Sequence, residues 1–235
     1  MKRYRIDNKT DDNGYIDLLD IFGDELTIVN AARVSFNVQH DTLENRDINL
    51  INYLYKNKHM SPFRHVMLRF KIYAPEFVMR QLYKHVVGIE ATSASVPVND
   101  SAFNEVSGRY VRVTEFYTPS VWRVQHSDNK QGSGEPCDDS VQTIATNAYA
   151  AALTECLKAY TLLLDAGICK EQARAILPLS QMTTVVWTCS LQALFNFIHL
   201  LNTSHAQAEI RAYAQIFDQI LHDTFPNVYE CFHND

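Results

Sequence analysis

Residues 81–112, QLYKHVVGIEATSASVPVNDSAFNEVSGRYVR, decide the reading of this chain. The first five continue a helix opened by Pro75. Positions three and four apart on a helix share a face, so Gln81 stands beside both Lys84 and His85. That helix end offers an amide, a cation and an imidazole. Val86 to Asp100 is rich in Ser, Thr, Asn and small residues and contains Pro97, which reads as an extended loop of the kind that closes over sites. A compact polar run, Asn104-Glu105-Val106-Ser107-Gly108-Arg109-Tyr110, ends the stretch. Ser107 supplies a hydroxyl, Gly108 an amide without an obstructing side chain, and Arg109 a guanidinium fork, a set that suits a phosphate monoester. The same pattern also fits a charged helix end followed by a solvated loop.

Upstream, Tyr15 to Phe22 reads as a strand, and Gly23-Asp24 turns the chain into a helix over Glu25 to Ala32. Arg46 to Lys56 is a helix with Ile48, Ile51 and Tyr55 on one face. Ser61-Pro62 fits a turn or a helix start, and Val66 to Tyr73 alternates as a strand does. Downstream, Val111 to Tyr117 is β-branched and aromatic enough for a strand, and Ser127 to Asp138 reads as a mobile connection. Asp138 to Asp165 predicts a long helix whose stripe Ile144, Ala148, Ala152, Cys156 and Tyr160 faces inward. Glu171 to Leu177 is a short helix stopped by Pro178, and Met182 to Thr188 suits a buried strand or an extended segment. Two helices, Leu191 to Leu201 and His205 to His222, follow. With no repeat or low-complexity tract, the pattern is that of one α+β domain with helices around a sheet.

The 235 residues suffice for one sizeable core, and 46% hydrophobic with 20% charged residues is ordinary for a globular protein. A formal charge of −6 speaks against a general nucleic-acid surface, whereas a small anion needs only a local basic pocket. The five cysteines are odd in number and lack metal-ligand spacing, which favours reduced thiols in the cytoplasm. Neither a leader nor a membrane-spanning apolar run is legible, so no membrane partner is expected. Only seven glycines occur, and Gly108 is the one whose backbone most needs to be a glycine's.

Three constellations remain. Gln192, Asn196 and His199 form a polar line on an otherwise apolar helix, suited to a buried polar ligand or to a network with neighbouring helices. Arg174 stands among small and apolar residues and needs a specific partner, anionic ligand or surface carboxylate. His59, Ser61, Arg64 and His65 crowd around Pro62-Phe63, but their spacing does not build a metal site. Pro136-Cys137 reads as a solvated loop thiol, and no glycine-rich phosphate loop occurs.

The run SAFNEVSGRY (101–110) resembles the signature of the flavin-dependent thymidylate synthases, the ThyX family, in which an Arg-His-Arg triplet precedes Ser, Asn-Glu, Ser and Arg. AARVSF (31–36), HMSPFRH (59–65), APEFVMRQ (74–81), EQARAILP (171–178) and SHAQAEI (204–210) are similar to that family's blocks in the same order. The resemblance implies a single domain over 1–235 with a central, mainly antiparallel sheet surrounded by helices. It implies reductive methylation of dUMP to dTMP, with the one-carbon unit from methylenetetrahydrofolate and hydride from NADPH through FAD. By resemblance the nucleotide is held by Gln81, Lys84, Glu105, Ser107, Gly108, Arg109 and Arg174. FAD and folate fall to His59, Ser61, Lys84, His85, Glu105, Ser190, Gln192 and Asn196. No catalytic residue is assigned. The family forms cytoplasmic homotetramers with sites shared between subunits.

The chain departs from the pattern at named places. Lys84 and Val86 replace the two arginines of the triplet, Val87 to Asp100 is an insertion, and Arg64 stands where a glutamate is usual. Ser190 and Gln192 are substitutions, while Asn196 matches. Leu201 falls where the family carries the arginine that activates the uracil ring. Three readings follow: thymidylate synthesis with a cation from Arg64 or the inserted loop, a relative acting on dCMP or UMP, or a flavin and nucleotide binder without turnover.

Overall fold

The structure, a computed structural model, describes residues 4–8, 14–85 and 101–233. The inserted loop expected over Val86 to Asp100 lies outside the described residues. The strands are β1 (Tyr4–Asp7), β2 (Tyr15–Phe22), β3 (Met67–Pro75), β4 (Ser101–Glu105), β5 (Arg123–Gln125), β6 (Ser133–Pro136) and β7 (Met182–Ser190). The helices are α1 (Glu25–Arg33), α2 (Asn45–Lys56), α3 (Glu76–His85), α4 (Asp139–Asp165), α5 (Lys170–Ala173), α6 (Leu191–Leu201), α7 (Ala208–Thr224) and α8 (Pro226–His233). A five-stranded sheet runs β1-β2-β3-β7-β4, and every neighbouring pair in it is antiparallel.

The period-2 pattern of β3 and β7 explains why they form the centre of the sheet. Leu68, Phe70, Ile72 and Ala74 on β3 and Val185, Trp187 and Cys189 on β7 are all buried. They meet the apolar sides of α6 and α7, where Phe70 packs edge-on to Phe217 at 4.9 Å and Trp187 lies 5.8 Å from Phe197 and 5.4 Å from Phe217. Fully burying each such phenyl ring contributes on the order of 1.5–3 kcal/mol. The α+β reading and the mainly antiparallel sheet are therefore correct.

Local signals set the joints. Gly23 adopts φ +87°, a region open to glycine, and delivers Asp24 to the start of α1. There the Asp24 carboxylate accepts from Thr27 N at 2.8 Å while Thr27 Oγ1 accepts from Asp24 N at 3.1 Å, a reciprocal cap. One residue on, Glu25 reaches across the fold to the start of α8, accepting from Asn227 N at 2.8 Å, Val228 N at 3.0 Å and Asn227 Nδ2 at 2.6 Å. At the start of α2, the fully buried Asp47 accepts from Arg33 at 2.7 Å and from Glu44 N at 3.0 Å, with His40 Nδ1 at 3.0 Å. Burial pushes its carboxyl up, but those bonds from His40, the Glu44 amide and Arg33 outweigh it and hold it down at about 2.

Three sequence expectations need correction. Val111 to Tyr117 is not a strand: apart from one bridge from Phe116 to Gln181 it is irregular, and β4 takes the sheet edge instead. β7 is already paired on both sides by β3 and β4, so β propensity at 111–117 finds no free edge there. The connection at 127–138 carries β6, which pairs with β5 in a small separate hairpin. The α4 stripe is not internal along its length: Ile144 is 69% exposed and Tyr160 is the buried residue of the helix. Both β1 and α8 form from segments whose periodicity is too short to signal them.

Candidate nucleotide pocket

The end of β4, the irregular segment after it, Arg174 and the start of β7 enclose a cavity of about 470 Å³. Its shape follows from the chain. Val106 N makes a last sheet-like bond to Thr184 O at 2.9 Å, after which Ser107 O accepts from Tyr110 N at 2.9 Å and Val111 N at 3.1 Å. This turn brings Gly108 against the Arg174 side chain. A Cβ on Gly108 would lie 3.3 Å from Arg174 Cδ, a tight approach that the arginine stem would relieve by giving a few tenths of an ångström. The sequence expectation that Gly108 most needs a glycine's backbone is corrected, since the positive φ values among the described glycines belong to Gly23 and Gly167.

Glu105, Ser107, Gly108 and Arg174 all line this cavity, as the sequence grouped them. Arg109 does not: its guanidinium is exposed and paired with Glu171 at 2.9 Å. Gln81 and Lys84 lie along α3 and are not part of the lining either. Gln81 donates to Gln207, and Lys84 is exposed at the helix end that His85 closes. Residues absent from the sequence reading also line the cavity, notably Glu76, Arg112 and Thr183. Arg112, whose Nη2 donates to Thr161 at 2.8 Å, could have been noticed as a second arginine three positions beyond Arg109.

Glu105 is the most constrained group. Its Oε2 accepts from Tyr83 OH at 2.9 Å and its Oε1 from Thr183 Oγ1 at 2.7 Å. It is also hydrogen-bonded to Glu76, whose carboxyl is raised by burial and then by the Glu105 charge. Two carboxyls this close disfavour each other's ionisation, which together with burial keeps Glu76 above the ordinary carboxylate range although Arg80 Nε lies 3.7 Å away. The Tyr83 phenol is likewise pushed up by burial and by Glu105, and nearby Tyr73, which donates to Glu115, by burial and that carboxylate. The pocket floor is thus acidic and hydrogen-bond rich, while Arg112 and Arg174 supply its positive side.

On α6, Ser190 is fully buried and its Oγ accepts from Ala193 N at 3.2 Å as the helix cap. Gln192 Oε1 is buried without a hydrogen-bond partner among the described residues, Asn196 is half-buried and His199 exposed. The polar line thus runs from the interior to the surface. His59 and Ser61 are exposed beside the 3-10 turn 61–65, with His59 edge-on to Tyr53 at 6.0 Å. Leu201 is 5% exposed within the core. Cys137 is half-buried, its backbone held between Trp122 and Gln142. No group of His, Cys, Asp and Glu among the described residues could hold a metal ion, and no described helix is long and apolar enough to cross a membrane.

An antiparallel sheet wrapped by helices, with a two-arginine pocket beside its edge strand, defines an α+β fold equipped for a small anionic ligand. A family described as "Thymidylate synthase complementing protein" matches residues 17–227. The flavin-dependent thymidylate synthase of Thermotoga neapolitana is 35% identical over 222 residues, covering 94% of this chain and 91% of that protein. Its counterpart in Kosmotoga olearia is 36% identical over 224 residues, with 95% and 91% covered. Among solved structures, the UMP/dUMP methylase PolB from Streptomyces cacaoi bound with 5-Br UMP superposes with a TM-score of 0.78 at 28% identity, covering 94% of this chain and 93% of that one. The same methylase bound with 5-Br dUMP gives 0.77 at 31% identity, with 94% of each chain covered. The chain belongs to the thymidylate synthase complementing family, a family of enzymes that includes the flavin-dependent thymidylate synthases.

Proposed function

We propose that this protein methylates a uracil nucleotide at C5, converting dUMP to dTMP with methylenetetrahydrofolate and NADPH in the cytoplasm. The observation that carries this reading is the Gly108 turn packed on Arg174 at the mouth of a pocket also lined by Glu105 and Ser107. Ser107, the Gly108 amide and Arg174 would bind the phosphate, with Gln81, Lys84 and Arg109 completing the nucleotide site. FAD fits the donor set: Gln192 Oε1 lacks a partner among the described residues, Asn196 is half-buried on the same helix, and Lys84, His85, Glu105, His59, Ser61 and Ser190 complete the assignment. When bound, the flavin supplies hydride chemistry that no side chain here can perform. The chain's own contribution is to orient the nucleotide and exclude water. Glu76 and Glu105 face each other beside it, with Tyr83 and Thr183 fixing the geometry of Glu105.

Gln81 and Lys84 do not line the pocket that holds Ser107 and Arg174. We take the complete site to draw on more than one subunit of a homotetramer, as the family resemblance implies. The exposed apolar residues Ile144 and Leu162 on α4, 69% and 70% accessible, suit a subunit contact.

A second reading is favoured by one observation. The position of the uracil-activating arginine holds Leu201, buried in the core, so no cation acts from there. This fits a relative whose nucleotide is UMP or dCMP, or one that binds without turnover. Mass spectrometry of the nucleotide after incubation with FAD, NADPH, methylenetetrahydrofolate and dUMP, UMP or dCMP separates the cases. A product heavier than dUMP by one CH₂ supports thymidylate synthesis, a product from UMP or dCMP alone redirects the substrate, and none with any of the three overturns methylation.

A further inference from the structure

The amide of Gln81 ends a polar chain that begins on the small β5-β6 hairpin. Arg123, on β5, donates through Nη2 to Glu209 Oε1, and its Nε donates to Ser133 Oγ on β6 at 2.9 Å. Gln207 Nε2 donates to the other oxygen, Glu209 Oε2, at 2.8 Å. Gln81 Nε2 then donates to Gln207 Oε1. The Glu209 side chain is only 12% exposed, and Gln207 sits at the N-cap of α7, so the middle of the chain is held by the fold.

An amide can point either way, and nothing in an isolated glutamine chooses. Here the choice is made at one end. A carboxylate can only accept, so Gln207 must turn its NH₂ toward Glu209 and its carbonyl away. That carbonyl can only accept, so Gln81 must donate to it. Gln81 is left with its own carbonyl oxygen, which has no partner among the described hydrogen bonds, pointing out of the relay. Reversing the order would turn the Gln207 carbonyl against the Glu209 carboxylate, acceptor facing acceptor.

We propose that Glu209 is a positioning residue that fixes Gln81 as a hydrogen-bond acceptor toward the nucleotide, selecting ligands that offer an N–H or O–H donor at that point. The inference rests on the reading above that Gln81 belongs to the nucleotide site. A uracil base offers N3–H and the sugar offers hydroxyls, whereas cytosine N3 is itself an acceptor and would face Gln81 unfavourably. Arg123 acts one step further back by holding Glu209 in place.

The test is isothermal titration of the full-length, FAD-loaded protein with dUMP, N3-methyl-dUMP and 2′,3′-dideoxy-UMP, using wild type, Glu209→Gln, Gln81→Leu and the pair Gln81→Glu with Glu209→Gln. In Glu209→Gln the relay can invert and present an NH₂ from Gln81, so dUMP should bind about tenfold more weakly. The double variant should recover to within about threefold, because a carboxylate at position 81 can only accept, whichever way the amide introduced at position 209 turns. The analogue lacking the engaged donor should bind wild type about tenfold more weakly and ignore Glu209→Gln, which tells the base N–H from the sugar hydroxyl. Unchanged dUMP binding by a folded Glu209→Gln protein, or no recovery in the double variant, overturns the relay. Should Glu209→Gln not fold, Gln81→Leu, which leaves Arg123, Glu209 and Gln207 in place, must erase the difference between dUMP and that analogue; an undiminished difference overturns the proposal. Wild type that binds none of the nucleotides overturns the nucleotide reading itself, and with it the relay's role.

Discussion

Gly108 and Arg174 are packed so that a Cβ on the glycine would stand 3.3 Å from Arg174 Cδ, although 66 positions separate them in the chain. Gly108→Ala should displace the guanidinium by a few tenths of an ångström and weaken nucleotide binding by about three- to tenfold, with the melting temperature nearly unchanged. Titration with dUMP or UMP reads this directly. Equal affinity would show that Arg174 does not depend on the glycine.

Arg174→Met removes one of two arginines lining the pocket. A hydrogen bond to a charged group contributes about 1.5–3 kcal/mol, so affinity for the nucleotide should fall by roughly 10- to 150-fold. Arg174→Lys should recover only part of this, since the ammonium lacks the planar fork. A loss confined to nucleosides without phosphate would contradict the phosphate assignment.

Glu76 has its carboxyl raised by burial first and by Glu105 second. The folded protein therefore holds a proton that the unfolded chain releases at lower pH, and stability falls as pH rises above the ordinary carboxylate value. Glu76→Gln keeps a donor toward Glu105 without that proton. Its melting temperature relative to wild type should climb as pH rises above about 4.5, the ordinary carboxylate value; a flat difference would disprove the raised Glu76 carboxyl.

Asp47 behaves in the opposite sense. Its folded value of about 2 lies below the ordinary ~3.9, so its contribution is complete above about pH 4 and is lost as pH falls toward 2. Asp47→Asn leaves Arg33 facing a neutral amide and should cost about 3–5 kcal/mol at pH 7, with less additional loss in acid than wild type shows. Chemical denaturation at pH 3 and pH 7 measures both.

Glu25 closes the start of α8 through two backbone N–H groups and the Asn227 side chain. Glu25→Ala removes that cap, with an expected loss of about 1–3 kcal/mol, or a fall of several degrees in melting temperature. Accelerated hydrogen exchange confined to 226–233 would locate the effect.

The central strands and the main helices were legible because each carries its own period. β3 alternates along most of its length, β7 reads as a buried strand, α2 and α6 place apolar residues on helical faces, and Gly23-Asp24 announces the start of α1. Local pattern failed where partners decided. Residues 111–117 have strand composition, but both sides of β7 were taken by β3 and β4. The α4 stripe reads as a core face and lies largely in the open in the single chain.

For the site, the sequence alone determined the polar run Asn104 to Tyr110, the lone Arg174 and the blocks that carry the family resemblance. These are statements about residue types and spacing, which need no coordinates. Only the tertiary structure decided that Ser107, Gly108 and Arg174 share one cavity while Arg109 turns to Glu171, and that Glu76 meets Glu105. It alone joined Gln81 to Gln207, Glu209 and Arg123. Hydrogen bonds act over about 3 Å, whereas Gln81 and Gln207 stand 126 positions apart. Which donor reaches which acceptor is settled by how strands and helices cross, and no local pattern encodes that.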